Sequence, residues 1–158
     1  MPIDSATFRS VLGRFVSGVT IVTARDAAGV DHGMTASAFC SVSLDPPLVL
    51  VSVARDATLH PVLLVQDEIA VSILTASQEA LARRFAEKLN DRFDGVGFTR
   101  AITGAPLIDG ALAHIEGRIV HRHAGGDHTI FVAEVLAASA SMDEPLLYYR
   151  GGYSHMAR

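Results

Sequence analysis

A run of small and hydroxyl-bearing residues, GMTASAFCSVSL at positions 33–44, is the first candidate for chemistry. Strict alternation along one strand would place Thr35, Ser37 and Ser41 on the same face, with Ala36 on the other. Such a face leaves room for a flat ligand and offers hydroxyl groups to it. An ordinary strand whose hydroxyls meet solvent would have the same composition, and a bulge would change the set of residues on each face.

Basic residues offer two possible phosphate sites. Arg55 and Thr58 follow an apolar run at 48–54, where a guanidinium, a hydroxyl and the backbone amides of a helix start could bind phosphate. The basic run RRFAEK at 83–88 could do the same. Taken alone, the first segment is equally typical of a solvated turn and the second of a solvated helix face.

Three histidines occur in HRHAGGDH, at 121–128. His121 and His123 share one strand face, and His128 follows a turn, so three imidazoles could in principle bind a metal ion. We expect no metal site, because no cluster of Cys, Asp or Glu lies nearby to support it. The alternatives are that His128 alone faces a pocket as a donor or orienting group, or that all three lie at the surface.

The segment YYRGGY at 148–153 could clamp a nucleotide or close a dimer interface. Motifs for a nucleophilic serine, a dinucleotide-binding turn and a P-loop are all missing from the sequence. The single cysteine, Cys40, lies in an apolar stretch and is expected to be a small buried hydrophobe.

Periodicity and turn residues predict the elements that must position these groups. The first helix carries one apolar face of Phe8, Val11, Leu12, Phe15 and Val16. The predicted order is a helix over 4–18, strands over 19–24, 32–44 and 48–54, a short helix over 55–66, a strand over 68–75, a helix over 77–88, a loop over 89–110, strands over 111–123 and 128–140, and a last short strand within 144–156.

Helices do not alternate with strands in this order, which favours a mainly β fold, a small antiparallel barrel with peripheral helices. The length of 158 residues fits one domain over 1–158. A net charge of -4 argues against a nucleic-acid partner. No apolar run approaches a membrane span, the start MPIDSATF does not resemble a signal peptide, and one cysteine fits a reducing compartment, so we expect a cytoplasmic protein without a membrane partner.

Five segments in order resemble the short-chain flavin reductase family: FVSGVTIVTA, GMTASAFCSVSLDPPLVLVSV, RRFA with the later DRF, GGDHTIFVAEV and LLYYRGGY. The resemblance spans nearly the whole chain. It implies an FMN-binding split β-barrel that forms a homodimer and reduces FMN or FAD with NADH or NADPH. It also implies that reduced flavin diffuses to a separate flavin-dependent monooxygenase.

The resemblance also implies roles for particular residues. Those expected to bind flavin are Thr35, Ala36, Ser37, Ser41, Ser52, Val53, Ala54, Arg55, Thr58, Phe85 and Ala86. Those expected at the nicotinamide site are His128, Tyr149, Arg150 and Gly151, with His128 as the catalytic residue in a positioning and polarising role. The segment ARDAT departs from the family, whose members often have Lys or Asn and more serines there.

Two alternatives stay open at this point. One is a split-barrel protein of the pyridoxamine-phosphate-oxidase type that binds flavin without reductase turnover, or merely sequesters it. The other is a histidine-rich metal-binding module built on His121, His123 and His128.

Overall fold

The computed structural model describes residues 1–157. Three helices are present: α1 (Ser5–Leu12), α2 (His60–Val65) and α3 (Glu79–Ala86), the last preceded by a 3-10 turn at Ala76–Gln78. The strands are β1 (Ser17–Gly18), β2 (Thr20–Arg25), β3 (Asp31–Ala36), β4 (Phe39–Leu44), β5 (Pro47–Ala54), β6 (Glu68–Ile73), β7 (Phe98–Thr99), β8 (Leu107–Ile108), β9 (Ala113–Gly125), β10 (His128–Ala140), β11 (Leu146–Tyr149) and β12 (Gly152–His155).

Seven strands form the main sheet in the order β3-β2-β6-β9-β10-β5-β4, and all neighbours are antiparallel. The prediction of a mainly β, antiparallel fold with peripheral helices is therefore confirmed. One core cluster lies between this sheet and α2 and includes Phe131 and Leu63. A second cluster joins α3 to β2 and β11 around Phe85, Ile21 and Leu146.

The predicted single strand over 32–44 is wrong, because the chain bends at 37–38 and forms β3 and β4 on opposite edges of the sheet. The Ser52 amide donates to the Ala38 carbonyl at 3.0 Å and holds this bend against β5. Thr35 and Ser41 therefore do not share the face of one strand. Cys40 is exposed on β4 rather than buried, since β4 is an edge strand with little packed over it.

The first helix is shorter than its apolar pattern predicts. Asp4 caps its start by accepting from the Thr7 amide at 2.8 Å, but the helix has its C-cap at Gly13 and does not reach position 18. None of its residues is buried; Phe8 is 53% exposed, and Phe15, just beyond the helix, is 82% exposed. An amphipathic helix whose apolar face meets solvent lacks the packing partner that its sequence pattern requires.

The C-terminal segment forms a hairpin rather than the single strand predicted for it. β11 pairs with β12, so that Tyr148 lies opposite Tyr153. Arg150 and Gly151 form the two-residue turn with φ angles of 53° and 77°. Two successive positive φ angles are typical of the turn that suits the twist of a short hairpin. Within residues 1–157, no helix is long and apolar enough to span a membrane.

Candidate functional site

Two adjoining pockets form one continuous groove beside α3, because Thr35 and Ala86 line both. The tyrosine pocket has a volume of about 180 Å³. It is lined by Val19, Thr35, Ser37, Ala86, Tyr148 and Tyr153. The Arg92 pocket has a volume of about 240 Å³. It is lined by Met34, Thr35, Asp56, Ala57, Thr58, Phe85, Ala86, Lys88 and Arg92.

Hydrogen bonds and ring contacts fix the walls of the tyrosine pocket. The Thr35 hydroxyl donates to the Ala82 carbonyl at 2.6 Å and so ties β3 to α3. Because its proton is used there, this hydroxyl can act toward a ligand only as an acceptor, through its lone pairs. The rings of Tyr148 and Tyr153 meet edge to face at 5.5 Å, and the Arg83 guanidinium lies 4.9 Å from the Tyr153 centroid. Burial raises the pKa of Tyr153, so its phenol is neutral at pH 7.

Arg92 is held in place by backbone carbonyls. Its guanidinium donates to the Glu87 carbonyl at 2.8 Å and to the Gly33 carbonyl at 2.6 Å. Burial lowers the pKa of Arg92 from its usual value, yet a guanidinium remains protonated in proteins. Lys88 adds a second cation to this pocket, and Asp56 is its one carboxylate. The Arg92 pocket can therefore bind an anion at an oriented guanidinium.

Gly33 allows the close approach that supports Arg92. A Cβ at this position would lie 3.0 Å from Phe85 Cε1 and 3.1 Å from Phe93 Cζ. Those two rings pack edge to face at 5.0 Å. A side chain at position 33 would push the aromatic pair away and shift the carbonyl that Arg92 binds.

Five of the eleven residues predicted to bind flavin line the groove: Thr35, Ser37, Thr58, Phe85 and Ala86. Ala36 and Val53 are buried, and Val53 belongs entirely to the core, so either could reach a ligand only through its backbone. Ser41 is exposed on β4, while Ser52, Ala54 and Arg55 lie along or just after β5. The flavin-binding roles of these residues stay predictions.

His128 lies at the start of β10, opposite Ala54 of β5. Its Nδ1 is 2.7 Å from the Asp127 carboxylate, and its side chain is 42% exposed. The hydrogen bond from His128, followed by the charges of His128 and Arg55, lowers the pKa of Asp127. The amide of Arg55 also donates to the Asp127 carbonyl at 2.9 Å. His128 is therefore oriented by its neighbour at the exit of β5.

Tyr149 ends β11 and Arg150 and Gly151 form the turn to β12, in a hairpin of a different sheet from that of His128. Arg150 and Gly151 line a further pocket at the tip of the β11–β12 hairpin, here called the hairpin pocket. Its other lining residues are Ala6, Arg9, Ser10, Gly13 and Arg14. The described contacts thus divide the predicted nicotinamide residues between two regions of the chain.

His121 and His123 stack at 5.7 Å, but His128 instead pairs with Asp127. In the described chain, residues 1–157, no group of three or more His, Cys, Asp or Glu side chains could hold a metal ion. This geometry does not favour the metal-binding alternative.

The groove also contains Lys88, Tyr148 and Tyr153, which lie in the segments predicted as a phosphate site and a nucleotide clamp. Sequence reasoning did not select the remaining groove residues: Val19, Met34, Asp56, Ala57 and Arg92. The pairing of the two tyrosines could have been predicted by treating Arg150–Gly151 as a two-residue turn, which sets Tyr148 opposite Tyr153. Arg92 could not, because its position depends on the carbonyl of Gly33, 59 residues away in the chain.

The fold and groove define a mainly antiparallel β protein with an elongated site, aromatic at one end and cationic at the other. The family described as flavin reductase like domain matches residues 12–157, and the chain belongs to this family.

Among similar proteins, the NADH-dependent FAD reductase of Streptomyces globisporus is 44% identical over 156 residues, which cover 96% of this chain and 85% of that protein. The reductase component of the 4-nitrophenol 4-monooxygenase/4-nitrocatechol 2-monooxygenase of Rhodococcus opacus is 42% identical, covering 98% of this chain and 82% of that protein. A solved structure of the NADH:FAD oxidoreductase SgcE6 of Streptomyces globisporus, in complex with NAD and FAD fragments, has a TM-score of 0.93 and 44% identity, covering 98% of this chain and 93% of that one.

Proposed function

We propose that this protein is an NAD(P)H:flavin oxidoreductase that transfers a hydride from nicotinamide to FMN or FAD. The observation that carries the proposal is the continuous groove beside α3, in a chain of the flavin reductase like domain family. Similar proteins are named as reductases that use NADH with FAD, or as reductase components of monooxygenases.

The donor set of the groove suits a flavin. Small Ala86 and the hydroxyls of Thr35 and Ser37 leave space for a flat ring at the tyrosine pocket. Thr58, Lys88 and Arg92 offer a hydroxyl and two cations to a phosphate. When bound, flavin supplies the redox chemistry by accepting hydride at N5.

The protein would contribute binding and orientation. The bond from Thr35 to Ala82 keeps the groove open at a fixed width, and the bonds of Arg92 fix its guanidinium before a ligand arrives. Such preorganisation lowers the entropic cost of placing two reactants face to face. Asp127 would orient the His128 ring as a positioning group for nicotinamide.

We also propose a homodimer, because α1 and the segment that follows it to Val16 expose an apolar face. Five large hydrophobics of this segment lie about half or more in solvent, and an exposed patch of this kind usually marks an interaction site. They are Phe8, Val11, Leu12, Phe15 and Val16. Reduced flavin would pass by diffusion to a separate monooxygenase; the Rhodococcus opacus relative is named as the reductase component of one.

The main sheet would curl into a split barrel. Its edge strands β3 and β4 are separated by only Ser37 and Ala38, and the Ala38 carbonyl accepts from Ser52 of β5 at 3.0 Å. We further propose a single domain over 1–158, which ends one residue beyond the described chain, and a cytoplasmic location suited to the lone Cys40.

The test is steady-state oxidation of NADH and NADPH with FMN, FAD and riboflavin in turn. We expect flavin-dependent oxidation of at least one nicotinamide donor. Tight flavin binding with no bleaching of flavin by either donor would overturn the proposal and favour a flavin-binding protein without turnover. Sedimentation at micromolar concentration tests the dimer separately, with Phe15→Ser as the variant expected to weaken it.

A further inference from the structure

The hairpin pocket carries a cluster of positive charges, although the chain as a whole is acidic. Its cavity of about 490 Å³ is lined by Arg9, Arg14 and Arg150 and by no acidic side chain. All three arginines are exposed, and within residues 1–157 their guanidinium groups have no hydrogen bond or ion pair. Since the whole chain carries a net charge of -4, this is a local cationic site rather than a general property of the surface.

Helix α1 is oriented so that its polar face forms this pocket. Positions 6, 9, 10 and 13 line the cavity, at the spacing of one helix face. The helix end is held at the hairpin by the Arg150 amide, which donates to the Gly13 carbonyl at 2.9 Å. The apolar positions 8, 11, 12 and 15 each follow one of these pocket positions by two residues. A step of two residues turns roughly 200° around a helix, so the apolar face points away from the pocket. The pocket thus stays clear of the surface proposed for the dimer.

Arg150 adopts a backbone conformation that is costly for an arginine. Its φ of 53° lies in the left-handed region, and the other turn residue, Gly151, has a φ of 77°. Glycine, asparagine or aspartate is usual at both positions of such a turn, and another residue costs on the order of 1 kcal/mol. Strain of this kind at a surface turn points to a functional demand on the side chain.

The hairpin connects this pocket to the tyrosine pocket. Tyr148 and Tyr153 face each other across the hairpin, and the turn begins two residues beyond Tyr148. At about 3.3 Å per residue, the turn is roughly 7 Å from the tyrosine pair. In a nicotinamide dinucleotide, a single ribose separates the ring from the pyrophosphate. A nicotinamide ring stacked on a flavin in the tyrosine pocket would therefore bring its phosphates to the hairpin tip.

We propose that the hairpin pocket binds the pyrophosphate of the nicotinamide co-substrate through Arg9, Arg14 and Arg150. Guanidinium groups bind phosphate oxygens in pairs of charge-assisted hydrogen bonds, which suits this ligand. The inference rests on the proposed reductase function and adds to it the group that the dinucleotide tail contacts.

The test compares the double variant R9Q/R14Q with the control R118Q, which removes an exposed arginine of β9 that lines none of these three pockets. We expect the double variant to raise both the KM and the Kd for NADH about tenfold or more. The KM for reduced nicotinamide riboside, which lacks phosphate, and the Kd for flavin should stay within about twofold of the wild type.

Other outcomes would overturn the inference. An unchanged Kd for NADH in the double variant means that the arginines do not bind the phosphates. Equal weakening of NADH and reduced nicotinamide riboside means that the substitutions disturb the ring site instead. Calorimetric titration of NADH needs no turnover. If the wild type reduces no flavin, the proposed function fails, while the Kd comparison still decides whether the pocket binds the dinucleotide.

Discussion

The Arg92 pocket and the hairpin pocket both present arginines, but they hold them differently. Arg92 is half-buried and donates to two backbone carbonyls, one from β3 and one from the loop after α3. Arg9, Arg14 and Arg150 are exposed, and the structure gives their guanidinium groups no such bonds in the part of the chain that it describes. One pocket has an oriented cation, and the other has flexible ones.

This difference has a thermodynamic consequence. An arginine that is already ordered loses little entropy when a ligand binds, whereas a free side chain loses up to about 2 kcal/mol. The Arg92 pocket therefore suits a phosphate that must hold a ring in one orientation. The hairpin pocket suits a co-substrate that leaves after each hydride transfer, because ordering its arginines reduces affinity and speeds release.

The largest effect is expected from Ala86→Leu, which places a larger side chain where the two parts of the groove meet. Because Ala86 is exposed at the end of α3, the fold should tolerate the change while the groove is blocked. We expect the Kd for flavin to rise about 100-fold, measured by fluorescence quenching. Ala80→Leu on the exposed side of the same helix is the control, and equal flavin affinity in both variants would place the flavin elsewhere.

Arg92→Lys tests whether orientation, rather than charge, distinguishes the Arg92 pocket. Lysine keeps the charge but cannot bridge the carbonyls of Gly33 and Glu87. We expect a loss of about 2 kcal/mol in unfolding free energy by urea titration and a flavin Kd about tenfold higher. Arg118→Lys should change neither quantity, and a silent Arg92→Lys would mean that charge alone matters.

Arg150→Asn tests whether the unfavourable backbone conformation of Arg150 is kept because its side chain binds the co-substrate. Asparagine tolerates the positive φ better, so the melting temperature should rise by about 2–4 °C at fixed protein concentration. The KM for NADH should rise about threefold, since one cation is lost. A variant that is more stable and binds NADH as well as the wild type would show that Arg150 is unrelated to the co-substrate.

The smallest effect is expected for Asp127→Asn, at an exposed pair outside both pockets. Its hydrogen bond with His128 lowers the pKa of Asp127, so the stabilisation is present above the ordinary carboxyl pKa and is lost as pH falls through the lowered value. The melting temperature should fall by about 1 °C or less at pH 7, and the difference from wild type should vanish once the pH is below the lowered pKa of Asp127. A difference that does not diminish as the pH is lowered through the acid range would assign the effect to some other contact.

Local pattern was sufficient for the strands with strong periodicity. The predicted strand over 128–140 coincides with β10, and α3 lies inside its predicted range. The local pattern was insufficient at 33–44, because no residue type in that run indicates the bend at Ser37 and Ala38. The bend depends on contacts with distant residues: Thr20 donates to the Ala36 carbonyl, and Ser52 donates to the Ala38 carbonyl.

The residues of the candidate site also fall into two groups, those that the sequence indicates and those that only the structure reveals. Thr35, Ser37, Thr58 and Ala86 could be selected from the sequence because they are small or hydroxyl-bearing residues in recognisable segments. Arg92 could not be selected in this way, because nothing in the sequence around a basic loop residue indicates that the Gly33 carbonyl of β3 lies beside it.

The amino-acid sequence by itself determined the strand-rich, antiparallel class, most element positions and the family, because these follow from periodicity and from ordered segments of residues. Only the tertiary structure decided where the pockets lie. The groove exists because α3 packs against β3 through Thr35, and the hairpin pocket exists because Gly13 accepts a bond from Arg150. Both contacts join residues far apart in the chain, and no local pattern of side chains encodes such a distance.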